Sequence, residues 1–256
     1  MIDLHTHVLP GIDDGPETIE GSLALVRAAE ADGTRVIVAT PHVSWHHHND
    51  ASTIARLTGE LNDRLREEGI AVEIRTGAEI AMTRVDDIEP GELKRLRLGG
   101  GPWLLLEPPF TPIVTGLDGV VMALQSAGHR VLLAHPERCP ALHREPRIVE
   151  SLVRGGVLTS VTAGSLAGRF GGQVRRFARH LLEQGLVHNV ASDAHDAIKR
   201  PPSMSADLAE AGFGELADWL TQAVPAAILS GEEIPERPQA PSLSERRPQR
   251  IRWRRR

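Results

Sequence analysis

Short runs of β-branched and leucine residues alternate along this chain with longer stretches of helical periodicity. The runs at 2–5, 35–39, 71–77, 103–106, 130–134, 157–162 and 187–191 predict strands. Between them, apolar positions at helical spacing predict helices over 19–31, 52–68, 117–127, 147–154 and 173–184. Gly33, Gly69, Gly128, Gly155 and Gly185 follow these stretches, where a left-handed residue commonly stops a helix. Strand–helix alternation implies βαβ units and a parallel sheet. Seven such units in about 230 residues fit a closed or nearly closed α/β barrel, with an open doubly wound sheet as the alternative. No Gly-x-Gly-x-x-Gly or Gly-x4-Gly-Lys-Ser/Thr motif follows a strand, which argues against nucleotide binding.

The polar residues collect where the strands end. His5 and His7, His42, Glu79, Glu107, His135, and Asp193 with His195 close six of the seven runs. Positions 5, 42, 79, 107, 135 and 193 lie 37, 37, 28, 28 and 58 apart; the last interval is two repeats, skipping the strand at 157–162. Residues recurring at the βα period share one end of a parallel sheet, which in a barrel is the C-terminal mouth. Imidazole and carboxylate without thiolate suit Mn, Fe, Zn or Ni better than a structural zinc or an iron–sulfur cluster. With Asp14 the set holds five histidines and four carboxylates, too many for one ion. Two or three ions sharing carboxylates would satisfy them. Ions about 3.5–4 Å apart can clamp the attacking and leaving oxygens of an in-line displacement at phosphorus.

Composition narrows the class further. Of 256 residues, 41% are hydrophobic and 25% charged, as in a globular protein with a real core. Aromatics make up 3% with no tyrosine, so that core must be built from Leu, Val, Ile and Ala. The lone Cys139 excludes a disulfide framework and a cysteine-rich zinc site. A cysteine-nucleophile phosphatase needs Cys-x5-Arg, whereas Cys139 and Arg144 give Cys-x4-Arg with Pro140 where a donor N–H is wanted. The first residues carry no basic and apolar signal regions, and no run of 18 uncharged apolar residues occurs, so a cytoplasmic protein is expected.

Charge divides the chain. Residues 246–256 hold seven arginines and no acid; taking +7 from the net −5 leaves −12 for residues 1–245. From Pro235 onward Pro, Arg, Gln and Ser dominate and apolar periodicity fades, which predicts disorder. The expected division is a domain over 1–231 and a tail over 232–256. Such a tail is either simply solvated or suited to an anionic membrane or an acidic partner. Nucleic acid ranks last, because the acidic body would repel its backbone.

Other candidates carry less. His46, His47 and His48 read as the rim of the site, while His129, His143, His180 and His188 belong to no constellation. Asp13 reads as a loop-positioning residue, although its role and that of Asp14 are interchangeable on sequence alone. Trp45 and Phe110 are candidate platforms for a substrate ring.

Taken together, Asp3-Leu4-His5-Thr6-His7, Gly77-Ala78-Glu79, Ala134-His135-Pro136-Glu137-Arg138 and Ser192-Asp193-Ala194-His195 resemble the polymerase-and-histidinol-phosphatase superfamily. More narrowly, Gly11-Ile12-Asp13-Asp14-Gly15-Pro16, the His-x-Glu-Arg at 135–138 and Arg200-Pro201-Pro202 are similar to the manganese-dependent bacterial protein-tyrosine phosphatases of capsule loci. The resemblance runs in order from residue 1 to about 231. It implies a distorted TIM-like (β/α)7 barrel holding three metal ions, with Mn²⁺ expected and Fe, Zn, Ni, Co or Mg also compatible. By motif, His5, His7, Glu79 and Asp193 bind the first ion, and Glu79, Glu107 and His135 the second. Asp14, His42 and His195 bind the third, while Arg138 and Arg200 orient the phosphate. The chain departs from its close relatives at Cys139, where an aromatic residue is usual, so how a substrate ring is held stays open. The implied substrate is the phosphotyrosine-rich tail of a membrane-associated bacterial tyrosine kinase controlling capsule or exopolysaccharide export. Histidinol phosphate is the alternative substrate. An amidohydrolase is disfavoured because no strand ends in the bridging lysine such enzymes use.

Overall fold

The computed structural model describes residues 1–238. The arginine-rich stretch at 246–256 lies outside the described residues. Among the described residues nine strands pair in two parallel sheets. The first sheet joins β1 (Ile2–Thr6), β2 (Val36–Ala39) and β4 (Glu73–Thr76) in the order β1-β2-β4. The second is formed by β3 (His42–Val43), β5 (Glu79–Ala81), β6 (Trp103–Glu107), β7 (Arg130–Ala134), β8 (Leu158–Thr162) and β9 (Asn189–Ala191), paired in chain order. The α/β fold with parallel strands is as expected, but the strands do not close into one sheet.

The division has a local cause. The expected strands at 35–39 and 71–77 appear as β2 and β4, and beyond Thr40-Pro41 and Gly77-Ala78 the chain adds two short strands that were not expected, β3 and β5. Pro41 has no N–H to give the ladder. Gly77 passes so close to β2 that a Cβ would meet Val38 Cγ1 at 2.7 Å and Leu98 Cδ2 at 3.0 Å. Beyond these breaks His42 pairs with Glu79 in the second sheet. On the other side β1 reaches β9 only at its end, through Asp193 N–H to His5 O and His7 N–H to Ala194 O, both 2.9 Å. Asp3 reinforces this seam, accepting from Ser192 N at 3.1 Å and Ser192 Oγ at 2.5 Å.

Strands buried on both faces read as continuous apolar runs, and in β7 Val131, Leu132, Leu133 and Ala134 are fully buried. Helix Ala51–Glu67 covers the first sheet with Ile54, Leu57, Leu61 and Leu65, spaced by three and four. Asp50 caps it by accepting from Thr53 N at 2.8 Å. Shorter helices at Pro90–Arg95, Pro140–Arg144, Ala163–Ala167, Met204–Ala211 and Val224–Ser230 carry too little periodicity to have been predicted. After Gly231 the chain stays against the body, with Trp219 Nε1 donating to Pro235 O at 3.0 Å. Among the described residues no helix is long and apolar enough to cross a membrane.

Candidate metal centre

The strand-end candidates gather at one end of the fold, His42 and Glu79 just beyond the C-terminal ends of β2 and β4. His5 is the fourth residue of β1, His42 and Glu79 open β3 and β5, and Glu107 ends β6. His135 directly follows β7, and Asp193 and His195 follow β9. The backbone is strained at two of these points. Among the described residues, His135 (φ 28°) and Asp193 (φ 50°) are the non-glycine residues with positive φ.

Nine side chains converge in overlapping groups whose donor atoms lie within 4.8 Å of one another: His7, Asp14, His42 and His195; His5, His7 and Asp193; His5, Glu79 and His135; and His42, Glu79 and Glu107. His5 Nε2 and His7 Nε2 face each other at 3.3 Å. Both lie 3.3–3.4 Å from Glu79 Oε2 and 3.4–3.5 Å from Asp193 Oδ1. Glu79 Oε2, buried, lies among His42 Nδ1 at 3.0 Å, His5 Nε2 at 3.3 Å and His7 Nε2 at 3.4 Å, while buried His135 Nδ1 has no hydrogen-bond partner. Buried carboxylate and imidazole atoms crowded together in this way are a donor set suited to cations. The residues present therefore fit the expected ions. The grouping differs from the expected one: His42 faces Asp14 at 3.5 Å and Glu79 at 3.0 Å, His7 joins Asp14, His42 and His195, His5 joins Glu79 and His135, and Glu107 groups with His42 rather than with His135.

The electrostatics follow from burial and neighbours. Burial alone would raise Glu79 and Asp193. Instead the imidazoles of His5, His135 and His42 hold Glu79 well below the usual carboxylate range. His5, His7, Arg138 and Arg200 do the same for Asp193. Glu107 is pushed up to about 8 by burial and by the Glu79 charge beside it. His135 is pushed down to about 4, chiefly by burial. The hydrogen bond from His195 holds Asp14 far below its ordinary value.

The roles of the paired aspartates separate. Asp13 accepts from His7 Nδ1 at 2.7 Å, Gly15 N at 3.0 Å and His42 N at 3.1 Å, so it turns the Nε2 of His7 toward the centre. Gly15 is required there, since a Cβ would strike His7 O. Asp14 instead faces His42 and His195. Arg138 and Arg200 both reach the same carboxylate: Arg138 pairs with Asp193 Oδ2, and Arg200 donates to that oxygen at 2.8 Å.

Two residues of the sequence motifs, Asp3 and Glu137, support the centre although the sequence alone gave them no role. Buried Asp3 accepts from His5 N and Thr6 Oγ1 besides Ser192. Glu137 is fully buried between β7 and β8, accepting from Ser165 Oγ at 2.7 Å and Thr162 N at 3.0 Å, and burial pushes its carboxyl up to about 7. Their signal in the sequence was membership of these motifs, as an acidic residue inside a strand or beside a strand end. Of the histidine tract, His47 stacks on His42 at 5.6 Å, and His46 and His48 are exposed. His129 pairs with Arg97, His143 and His180 pack on Phe177, and His188 lies against Thr159, all outside the centre. Cys139 is buried, its Sγ on Pro109 O at 3.3 Å.

The family model for capsular polysaccharide synthesis proteins CpsB/CapC matches residues 1–215. The chain belongs to the CpsB/CapC family. It is 35% identical over 201 residues to the tyrosine-protein phosphatase YwqE of Bacillus subtilis, covering 78% of this chain and 79% of YwqE. With the tyrosine-protein phosphatase CpsB of Streptococcus pneumoniae it shares 33% identity over 215 residues, 80% of this chain and 86% of CpsB. A crystal structure from work on YwqE and CpsB, described as unique metal-dependent tyrosine phosphatases, superposes with a TM-score of 0.81 at 30% identity. That match covers 94% of this chain and all of the other. All the CpsB/CapC candidates named here, from His5 to Arg200, fall within the matched residues.

Proposed function

We propose that this chain is a metal-dependent protein-tyrosine phosphatase acting in capsule or exopolysaccharide synthesis. The observation that carries the reading is the convergence of five imidazoles and four carboxylates around the buried Glu79, with two guanidiniums at the edge. His5, His7, Glu79 and Asp193 would hold one ion, Glu79, Glu107 and His135 a second, and Asp14, His42 and His195 a third. Mn²⁺ is the ion proposed, and when bound the ions supply Lewis acidity and an activated water for phosphoester hydrolysis.

Arg138 and Arg200 present planar forks of N–H donors to phosphate oxygens and offset the charge that grows on them. Asp193 sets both forks in advance, so little reorganisation accompanies substrate binding. Asp13 fixes the imidazole of His7 from behind, and Asp3 holds the backbone N–H of His5. A phenolate leaving group, with a pKa of about 10, needs less acid help than an alkoxide. The names of the family and of its relatives support a phosphotyrosine protein of a capsule locus as substrate, and we take it to be the tail of a membrane-associated tyrosine kinase. On this reading residues 1–231 are the phosphoesterase unit, the two sheets work as one distorted (β/α)7 barrel, and 232–256 is an appendage. The protein then acts in the cytoplasm, at the inner face of the membrane.

The test is initial-rate hydrolysis by metal-stripped protein with Mn²⁺ added back, on phosphotyrosine peptide, phosphoserine peptide and histidinol phosphate. The expected result is Mn²⁺-dependent turnover that strongly favours phosphotyrosine. Preference for histidinol phosphate would discard the signalling role.

A further inference from the structure

Five large apolar residues stand exposed among the described residues: Trp45, Phe110, Ile113, Met122 and Ile198. Phe110 alone of these is in ring contact with the candidate centre among the described residues. Its ring lies 5.3 Å from that of His135 at an interplanar angle of 21°, and the guanidinium carbon of Arg138 is 5.1 Å from its centroid. Yet 47% of the residue remains open to solvent. The guanidinium over the ring of Trp45 is that of Arg84, 4.3 Å from its centroid, which is not one of the arginines at the centre. The other three have no π face.

The loop that carries Phe110 is held in place. Pro108 and Pro109 restrict its backbone, and Cys139 donates its S–H to Pro109 O at 3.3 Å. That contact ties the loop to the turn bearing Arg138. Phe170 flanks Arg138 on a second side at 4.6 Å and lies 6.0 Å from Arg200. Arg138 is thus set between two rings and a carboxylate.

We propose that Phe110 is the specificity-determining residue of this site, the platform on which the ring of an aryl phosphate stacks while Arg138 holds the phosphate. The proposal rests on the phosphatase reading above. A single oxygen joins the ring of an aryl phosphate to phosphorus. A phosphate on Arg138, whose guanidinium carbon is 5.1 Å from the Phe110 centroid, leaves that ring within reach of an offset stack on Phe110. An alkyl phosphate has no such face to present. Cys139, on the same geometry, anchors the platform loop.

Binding of phenylphosphonate and methylphosphonate to the Mn²⁺-loaded protein, followed by calorimetry, tests this with Phe110→Ala, Phe110→Leu and Phe110→Trp. The ratio of the two affinities is expected to fall roughly tenfold in the Ala and Leu variants and to return in the Trp variant. An unchanged ratio, whether both affinities hold or both fall together, would overturn the platform. Phosphotyrosine turnover separates the two readings. If wild type turns over no phosphotyrosine peptide while the ratio falls as expected, the phosphatase reading fails and the platform stands. If turnover is intact and the ratio unchanged, the platform alone fails. Wild type that binds neither phosphonate overturns both.

Discussion

At Glu79 one buried carboxylate faces four imidazoles, among them His7 with Nε2 3.4 Å from Oε2. Oε1 lies 2.7 Å from His135 Nε2, and Oε2 lies 3.0 Å from His42 Nδ1 and 3.3 Å from His5 Nε2. The imidazoles outweigh burial and keep the carboxyl ionised, so its charge is the feature a cation would use. Glu79→Gln keeps the shape and removes that charge. It is expected to lower phosphotyrosine turnover by more than about a hundredfold and to reduce bound Mn²⁺ per chain. Circular dichroism should show the fold retained. Wild-type activity in this variant would sink the shared-ligand role of Glu79.

Between elements, the seam joining β1 to β9 depends on a side chain as much as on backbone. Asp3 is fully buried and accepts from Ser192 N and Oγ, His5 N and Thr6 Oγ1. Asp3→Ala leaves those donors in a dry seam without their acceptor, at a cost of about 3 kcal/mol. Urea unfolding should show a lower midpoint with an unchanged slope. A loss below about 1 kcal/mol would mean that the strand ends hold each other without it. The same seam orders His5 and Asp193, which are bonded through Asp193 N–H to His5 O, so weaker Mn²⁺ binding should accompany the lost stability.

The whole molecule pairs an acidic body with a basic end, −12 over residues 1–245 against seven arginines in 246–256. All nine candidate ligands and both arginines lie between residues 5 and 200, far from that end in sequence. Removal of residues 239–256 is therefore expected to leave hydrolysis of p-nitrophenyl phosphate within about twofold, because a small ester needs only the centre. A loss above about tenfold would assign the arginine-rich end a part in the chemistry. Anionic vesicles offer the complementary measurement: if the end docks on membrane, its removal abolishes sedimentation with them at low salt.

Much of this was legible in the amino-acid order alone. The expected strand at 130–134 and the helices at 19–31 and 147–154 have the observed bounds, and the ligand spacing already required one shared end of a parallel sheet. Such features are local: periodicity, end signals and strand polarity depend on neighbours within a few residues. Other features needed the tertiary structure. Pro41 and Gly77 divide the strands into two sheets, and Asp3 meets Ser192 across 189 residues. Asp13 turns to His7 while Asp14 turns to His195. His42 adjoins two groups of donors, and Phe110 and Phe170 close on Arg138 from different loops. Periodicity places a side chain on a face, but sheet order and register decide which distant side chain it meets there.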